Sequence, residues 1–355
     1  MYIEKKRQSP IQFFTDSVLD SKAIDFWLQH ANRLWSVHQS LGKIVDKQDT
    51  AQEMVSLKIK VNRHFKMGVA GQHHPIFVEI NGRRYERTYS LTQLDDKHVQ
   101  LTVKKVAAGR VSTWLIEQAK NGDVIAFGEP YGEMQSSASP DDVVLLAAGS
   151  GITPMYSLVH YWAQNKHLLA KPVTLLYWVK TAQDAAFKAE FEAIATRYPK
   201  FKFKIFYTQA EQADARLNQA DVEGVKDLSN SQVYACGPSG FVAHAEQLFA
   251  KAKVFYGEAF SLSPVVNQDV GFVKLTLSRS NKVINIPKGQ AILPSLEQQN
   301  IHPSFGCRMG VCNKCVCKKV EGGTKNLVNG LENTEPNTQL KICVNSAQSD
   351  LTIDL

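Results

Sequence analysis

Apolar and polar residues alternate along the chain from Leu41 to about Pro130, in the runs LGKIVD, MVSLKIKV, PIFVEI, RTYSL and VQLTVKKV. Period-two alternation over such short runs predicts half-buried strands, and turn residues such as Asn81-Gly82 separate them. Several strands at this spacing predict a small antiparallel β-barrel. Upstream, within residues 13–35, Ile24, Trp27, Leu28, Ala31, Leu34 and Trp35 recur at helical spacing, which predicts a helical extension.

The texture changes near Asp141. VVLLAAG is a continuous apolar run, followed by a helical stretch, then VTLLYWV, a helix from about Asp184 to Tyr198, FKFKIFYT and QVYACG. Strands alternating with helices predict a parallel α/β sheet. SLSPVVNQD reads as a linker, and from Val270 short strands return around one helix, Ile292 to Gln299. The expected layout is a helical extension (1–35), a barrel (36–137), an α/β domain (138–262), a linker (263–269) and a small α+β domain (270–355).

Composition narrows the classes. A chain of 355 residues exceeds one ordinary core, and 44% hydrophobic with 21% charged residues is a globular balance. The start, MYIEKKRQSPIQ, has no apolar signal region, and no apolar run approaches the roughly 20 residues that span a bilayer. A soluble, cytoplasmic protein is expected. The net charge of +7 comes without a Lys/Arg run, so no nucleic-acid partner is expected.

The cysteines carry the first specific chemistry. Cys307, Cys312 and Cys315 form C-x4-C-x2-C, and Cys343 follows 28 residues later, the plant-type [2Fe–2S] spacing. A zinc ribbon would offer two C-x2-C pairs, and only Cys312/Cys315 has that spacing. Cys317 is expected to point away from the cluster as a small buried residue. The stretch Val270–Leu355, including LKICVNSAQSDLTIDL, resembles a plant-type ferredoxin domain (β-grasp-like) over its full length. Such domains are usually acidic, yet this one has ten Lys/Arg against six Asp/Glu. Arg308, Lys314, Lys318 and Lys319 lie on or beside the cluster loop, either as a solvated surface or as a rim for an acceptor with an acidic docking face.

Two motifs in the barrel point to flavin. Arg87-Thr88-Tyr89-Ser90 supplies an Arg for a diphosphate, a Tyr to stack on the ring and a Ser hydroxyl for the N5 edge. Gly109-Arg110-Val111-Ser112 precedes a helix beginning near Thr113, a turn suited to phosphate. Together they resemble the ferredoxin–NADP(H) reductase superfamily. The resemblance implies that Arg87, Tyr89, Ser90, Gly109, Val111 and Ser112 contact the flavin, FAD rather than FMN.

In the α/β domain, the strand ending at Ala148 runs into Gly149-Ser150-Gly151-Ile152-Thr153-Pro154, a Gly-rich turn suited to a dinucleotide diphosphate. This form, with Cys236-Gly237-Pro238 and Tyr256-Gly257-Glu258-Ala259-Phe260, resembles the same superfamily. The resemblance places Gly149, Gly151, Thr153, Gly237, Pro238 and Phe260 at the nicotinamide dinucleotide. It sets Ser90, Thr153, Cys236 and Glu258 around the meeting point of the two rings. Arg216 lies where NADPH-using relatives hold the 2′-phosphate, and Lys180 could add charge. NADPH is favoured, with NADH open.

The order of parts implies hydride transfer to flavin, which acts as a two-to-one electron converter for the cluster. Hydride transfer requires no general base, so His73-His74 are expected to be exposed at a strand start without a catalytic role. Reductases of this construction serve oxygenases and fatty-acyl desaturases. The whole-chain layout resembles the NADPH oxidoreductases that feed stearoyl-CoA 9-desaturase, a membrane di-iron enzyme. The extension is expected to pack on the barrel, although its aromatics (Phe13, Phe14, Phe26, Trp27, Trp35) could touch a partner or the inner face of a membrane. Three functions stay open: a reductase for a membrane desaturase, a reductase for a soluble aromatic-ring or alkyl oxygenase, and a metal-binding, ligand-sensing interaction module.

Overall fold

The computed structural model describes residues 21–107, 109–135, 142–169, 171–209, 216–261, 271–328 and 330–355. The expected linker 263–269 lies outside them, as do Phe13, Phe14, Asp16 and Asp20 of the extension and Asp214 and Ala215 beside Arg216.

The helix α1 (Ser21–Ala31) is shorter than the apolar spacing predicted. Asp25 explains the end of the pattern. Its carboxylate accepts from the Ser36 hydroxyl (2.8 Å) and the Val37 N–H (2.7 Å), so the chain turns back after Ala31. Leu34 is buried in that connection, whereas Trp27 and Trp35 are 71% and 54% exposed. The connection packs on the barrel through Asn62, whose side-chain amide donates to the Leu34 and Gln39 carbonyls at 3.1 and 2.9 Å.

Six strands close the barrel: β1 (Leu41–Ala51), β2 (Met54–Val61), β3 (His73–Ile80), β4 (Arg83–Gln93), β5 (His98–Lys104) and β6 (Val124–Phe127), in the order β1-β2-β5-β4-β3-β6. Ile44, Leu57, Ile59, Ile76, Leu91 and Leu101 fill it, all fully buried and each worth about 1.5–3 kcal/mol of transfer free energy. Asn81 and Gly82 both take positive φ (51° and 71°), as a type I′ turn requires, and this locks the β3–β4 register at Ile80 opposite Arg83. A short helix α2 (Arg110–Thr113) starts directly after Gly109, earlier than expected. It runs on in a wider turn in which the Ala119 N–H donates to the Trp114 carbonyl at 2.8 Å.

The α/β domain is a five-stranded parallel sheet in the order β11-β10-β7-β8-β9. Its strands are β7 (Asp142–Ala148), β8 (Val173–Val179), β9 (Phe201–Tyr207), β10 (Ser231–Pro238) and β11 (Val254–Ser261). The helices are α3 (Ile152–Gln164), α4 (Lys188–Arg197), α5 (Gln219–Glu223) and α6 (Ser239–Leu248). The run VVLLA has no polar alternation because both faces are covered. Val143, Leu145 and Ala147 pack with Trp162, Tyr177 and Phe191, while Val144 and Leu146 pack with Trp178 and Phe249. The helix expected from Asp184 begins only at Lys188, because Phe187 sits at φ 60° and breaks the run. Barrel residues Met54 and Met134 join the core on one face of this sheet, and the Ser157 hydroxyl donates to the Leu91 carbonyl at 2.8 Å.

In the C-terminal domain, a mixed sheet in the order β13-β12-β19-β14-β17 covers one helix, α7 (Ile292–Gln298). The strands are β12 (Phe272–Leu277), β13 (Lys282–Pro287), β14 (Val316–Glu321), β17 (Thr338–Lys341) and β19 (Leu351–Asp354). A second small sheet pairs β15 (Thr324–Asn326) with β16 (Glu332–Asn333) and β18 (Asn345–Ala347). Antiparallel barrel, parallel α/β sheet and α+β domain together are the fold class that the residue patterns predict.

Candidate active site

A cavity of about 1190 Å³ opens where the three domains meet, and every domain contributes to its wall. The α/β sheet presents the carboxyl ends of its central strands. The chain winds outward from β7 through β8 to β9, then returns to β10 on the other side. The β7/β10 boundary is therefore the topological switch point, where ligands of open α/β sheets bind. Gly149, Thr153, Gly237 and Pro238 line the cavity there, with Lys180, Arg216 and Phe260 further along.

Gly151 has a different reason to be glycine. A Cβ at this position would lie 2.0 Å from the Cys236 carbonyl oxygen, so only Gly lets the start of α3 approach the end of β10. Gly151 and Cys236 thus stand behind the cavity wall rather than on it. Cys236 is fully buried, and burial, with the nearby Glu258 carboxylate second, pushes its thiol well above the usual range.

The barrel supplies the opposite wall. Arg87, Tyr89, Ser90, Gly109, Val111 and Ser112 all line the cavity. Burial first, then the like charge of Arg308, lowers the pKa of the Arg87 guanidinium. Burial pushes the Tyr89 hydroxyl up. The residues present fit an FAD. The large cavity has room for a flavin against Tyr89, and Arg87 with the Gly109–Ser112 turn would hold the diphosphate. A second groove of about 480 Å³ shares Gly109 and is lined by Tyr85, Arg110 and Trp114, room for the adenosine half.

The structure corrects the expectation for His73 and His74. Both are buried, at 2% and 0% exposure. His74 accepts from the Gly68 N–H at 3.1 Å and stacks on Phe65, and burial holds its pKa down to about 4. It is a neutral packing residue. His73 lies opposite Ser90 in the β3–β4 ladder, and its Nδ1 is 3.1 Å from the Ser90 hydroxyl. On its other side Nε2 is 2.6 Å from the Glu258 carboxylate on β11. Glu258 therefore reaches Ser90 only through His73, and the three form a chain leading from the cavity wall toward the barrel–sheet seam. The register was the signal for His73. Counting eight residues back from Asn81 and eight forward from Gly82 sets it across from Ser90.

The four candidate cluster cysteines come together as two pairs. Cys315 Sγ lies 3.1 Å from Cys343 Sγ, and the Cys307 N–H donates to Cys312 Sγ at 3.2 Å. The N–H groups of Met309 and Cys312 donate to Cys307 Sγ at 3.4 and 3.3 Å. A hydrogen bond from the Cys312 thiol, then these backbone donors against the opposing cost of burial, holds Cys307 down to about 6. Paired thiols wrapped by amide donors fit a two-iron cluster with two thiolates per iron. Cys317 sits half-buried against the domain core, its thiol raised to about 12 by burial.

Three of the four cations on or beside the cluster loop are already engaged within the protein, and this corrects the expectation of a free basic rim. Lys319 is fully buried and donates to the Asn333 carbonyl at 2.6 Å. Lys314 is paired with Glu86 of the barrel, and Arg308 with Glu297 of α7. Of the four cations, Lys318 remains a solvent-facing charge without such a partner. Lys314 ties the loop to the barrel, Arg308 and Lys319 are engaged within their own domain, and Cys307, Arg308 and Met309 form the third wall of the cavity.

Family models match the three bodies in turn: an oxidoreductase FAD-binding domain over 42–136, an oxidoreductase NAD-binding domain over 145–247 and a 2Fe-2S iron-sulfur cluster binding domain over 275–344. The NADPH oxidoreductase of Mycobacterium tuberculosis is 30% identical over 342 residues, 93% of this chain and 88% of that protein. This chain is a ferredoxin–NADP(H) reductase family flavoprotein with a C-terminal [2Fe–2S] domain. The NADH oxidoreductase HCR of Escherichia coli is also 30% identical, over 71% of this chain and 78% of its own. Among solved structures, phthalate dioxygenase reductase shares the fold, with a TM-score of 0.65, 24% identity, and 89% of this chain and 97% of that one covered. The family makes this reductase an NAD(P)H–FAD–[2Fe–2S] electron-transfer oxidoreductase. No helix among the described residues is long and apolar enough to cross a membrane.

Proposed function

We propose that this reductase draws on NADPH and delivers electrons to a membrane fatty-acyl desaturase. The observation that carries the electron path is the single cavity walled by Tyr89 and Ser90, by Thr153 and Gly237, and by Cys307 of the cluster loop. When bound there, flavin and cluster supply hydride acceptance and one-electron delivery. The chain's own residues position and shield. Tyr89 offers a ring face, and Arg87 with the Gly109–Ser112 turn neutralises phosphate. Thr153 is held toward the turn by its hydroxyl, which donates to the Ser150 carbonyl at 3.2 Å. His73 holds the Ser90 hydroxyl in place: its Nδ1 lies within hydrogen-bond distance of that hydroxyl, and the Glu258 carboxylate stands close behind the ring at Nε2.

The preference for NADPH rests on Arg216 and Lys180, both exposed cations on the cavity wall beside the ends of β8 and β9. A guanidinium there suits a 2′-phosphate dianion. Arg216→Ala is expected to raise KM for NADPH about tenfold or more and leave KM for NADH unchanged, since one charged hydrogen bond is worth about 1.5–3 kcal/mol. Steady-state kinetics with both nucleotides decides it, and an equal effect on both would remove the preference.

The desaturase rests on the whole-chain layout, an N-terminal extension before the barrel and the ferredoxin domain last, together with likeness to an NADPH oxidoreductase along nearly the full chain. An oxygenase partner is favoured by a different observation, the shared fold of phthalate dioxygenase reductase. Purified protein with NADPH is expected to support desaturation by a membrane fraction of its own cell. Transfer confined to a soluble oxygenase would replace the first acceptor by the second.

A further inference from the structure

The third wall of the cavity brings a cation that the cluster itself does not need. Arg308 follows Cys307 directly and sits at φ 60°, a conformation that costs a non-glycine residue energy and turns this side chain toward the barrel. Its guanidinium lies 4.1 Å over the ring of Phe305. Its Nη1 donates to Glu297 at 2.9 Å, which fixes the plane of the fork. Its Nε is buried without a hydrogen-bond partner, a cost in a folded protein unless an acceptor arrives.

The same ring has a second guanidinium near it. Arg87, from β4 of the barrel, lies 5.7 Å from the Phe305 centroid, and it too lines the cavity. Two guanidiniums therefore flank one aromatic ring in a partly desolvated wall, one from each domain. Glu297 accepts from Arg308, and Arg87 Nη1 donates to the Glu86 carbonyl at 2.6 Å, but neither reaches the Arg308 Nε–H. An anion between the two would satisfy both and the free Nε–H together. Resting on the reading that this cavity holds flavin, we propose that Arg308 of the ferredoxin domain joins Arg87 in clamping the phosphate of the bound flavin. Flavin binding then fastens the ferredoxin domain to the barrel, alongside the Lys314–Glu86 ion pair.

The test is a titration of full-length protein, depleted of flavin but retaining its cluster, with riboflavin, FMN and FAD, followed by quenching of flavin fluorescence. Arg308→Ala is expected to weaken FMN and FAD by about 10- to 100-fold, the loss of one charged hydrogen bond, and to leave riboflavin unchanged. Small-angle scattering should show the wild type contracting on FAD addition and the variant contracting less. Equal weakening of all three flavins, or of none, would overturn the clamp and leave Arg308 as a brace of the cluster loop through Glu297. If the alanine variant loses its iron–sulfur absorption, Arg308→Lys serves, with a smaller loss expected for FMN and FAD alone. Wild-type protein that bound no flavin would instead defeat the reading on which the clamp rests.

Discussion

Cys312→Ser is expected to abolish NADPH-driven reduction of cytochrome c, by about 100-fold or more, while ferricyanide reduction persists. Cys312 sits on the partly exposed side of the loop, so the substitution removes a thiolate without opening the domain core. The two acceptors separate the routes. Cytochrome c draws on the one-electron port, whereas ferricyanide, a small oxidant, can be reduced at the flavin wall of the cavity. The two rates, measured on one preparation with its flavin content determined, give the answer. Equal loss of both would mean that the cluster is not downstream of the flavin, and the order of the relay would fall.

How much of this was legible in the sequence depends on distance along the chain. The candidate cluster cysteines stand out in the sequence because three of them lie within nine residues, and their spacing is set by one loop. The barrel and the sheet were readable because alternation and continuous apolar runs report how many faces of a strand are covered. His73 was misjudged, although its position was encoded. A two-residue turn at Asn81-Gly82 fixes every pair in the β3–β4 ladder, and Ser90 pairs with His73. Polar character at a strand start suggested exposure, but β11 covers that end with a carboxylate from residue 258. No local pattern announces that contact.

The basic rim failed for the same reason. Lys314 and Arg308 look like docking charges until the barrel brings Glu86 to the one and the fold of their own domain brings Glu297 to the other. Lys319 alternates with exposed neighbours on β14, and only the placement of Asn333 shows that its ammonium is satisfied inside. Apolar periodicity reports burial of carbon. It does not report which charge a neighbouring domain will supply.

Replacing His73 is expected to be the most damaging change on the flavin wall outside the flavin contacts themselves. His73→Gly leaves the Ser90 hydroxyl without its 3.1 Å partner and the Glu258 carboxylate without the ring nitrogen 2.6 Å away. The hydroxyl is then free to rotate away from the cavity, and a largely buried carboxylate has lost the imidazole beside it. The rate of flavin reduction by NADPH, read by stopped-flow absorbance, is expected to fall about 10- to 100-fold, with KM for NADPH little changed, because the nucleotide contacts lie on the other wall. Ser90→Ala should fall by a similar factor, and the double variant by little more than either alone, since the two groups act in one chain. A merely structural role would be insensitive to small molecules. Added imidazole, which fits the space left by the ring, should therefore restore part of the rate in His73→Gly and none in Ser90→Ala. Full additivity of the two substitutions, or no rescue in a variant that remains folded and flavin-loaded, would reduce His73 to a packing residue like its neighbour His74.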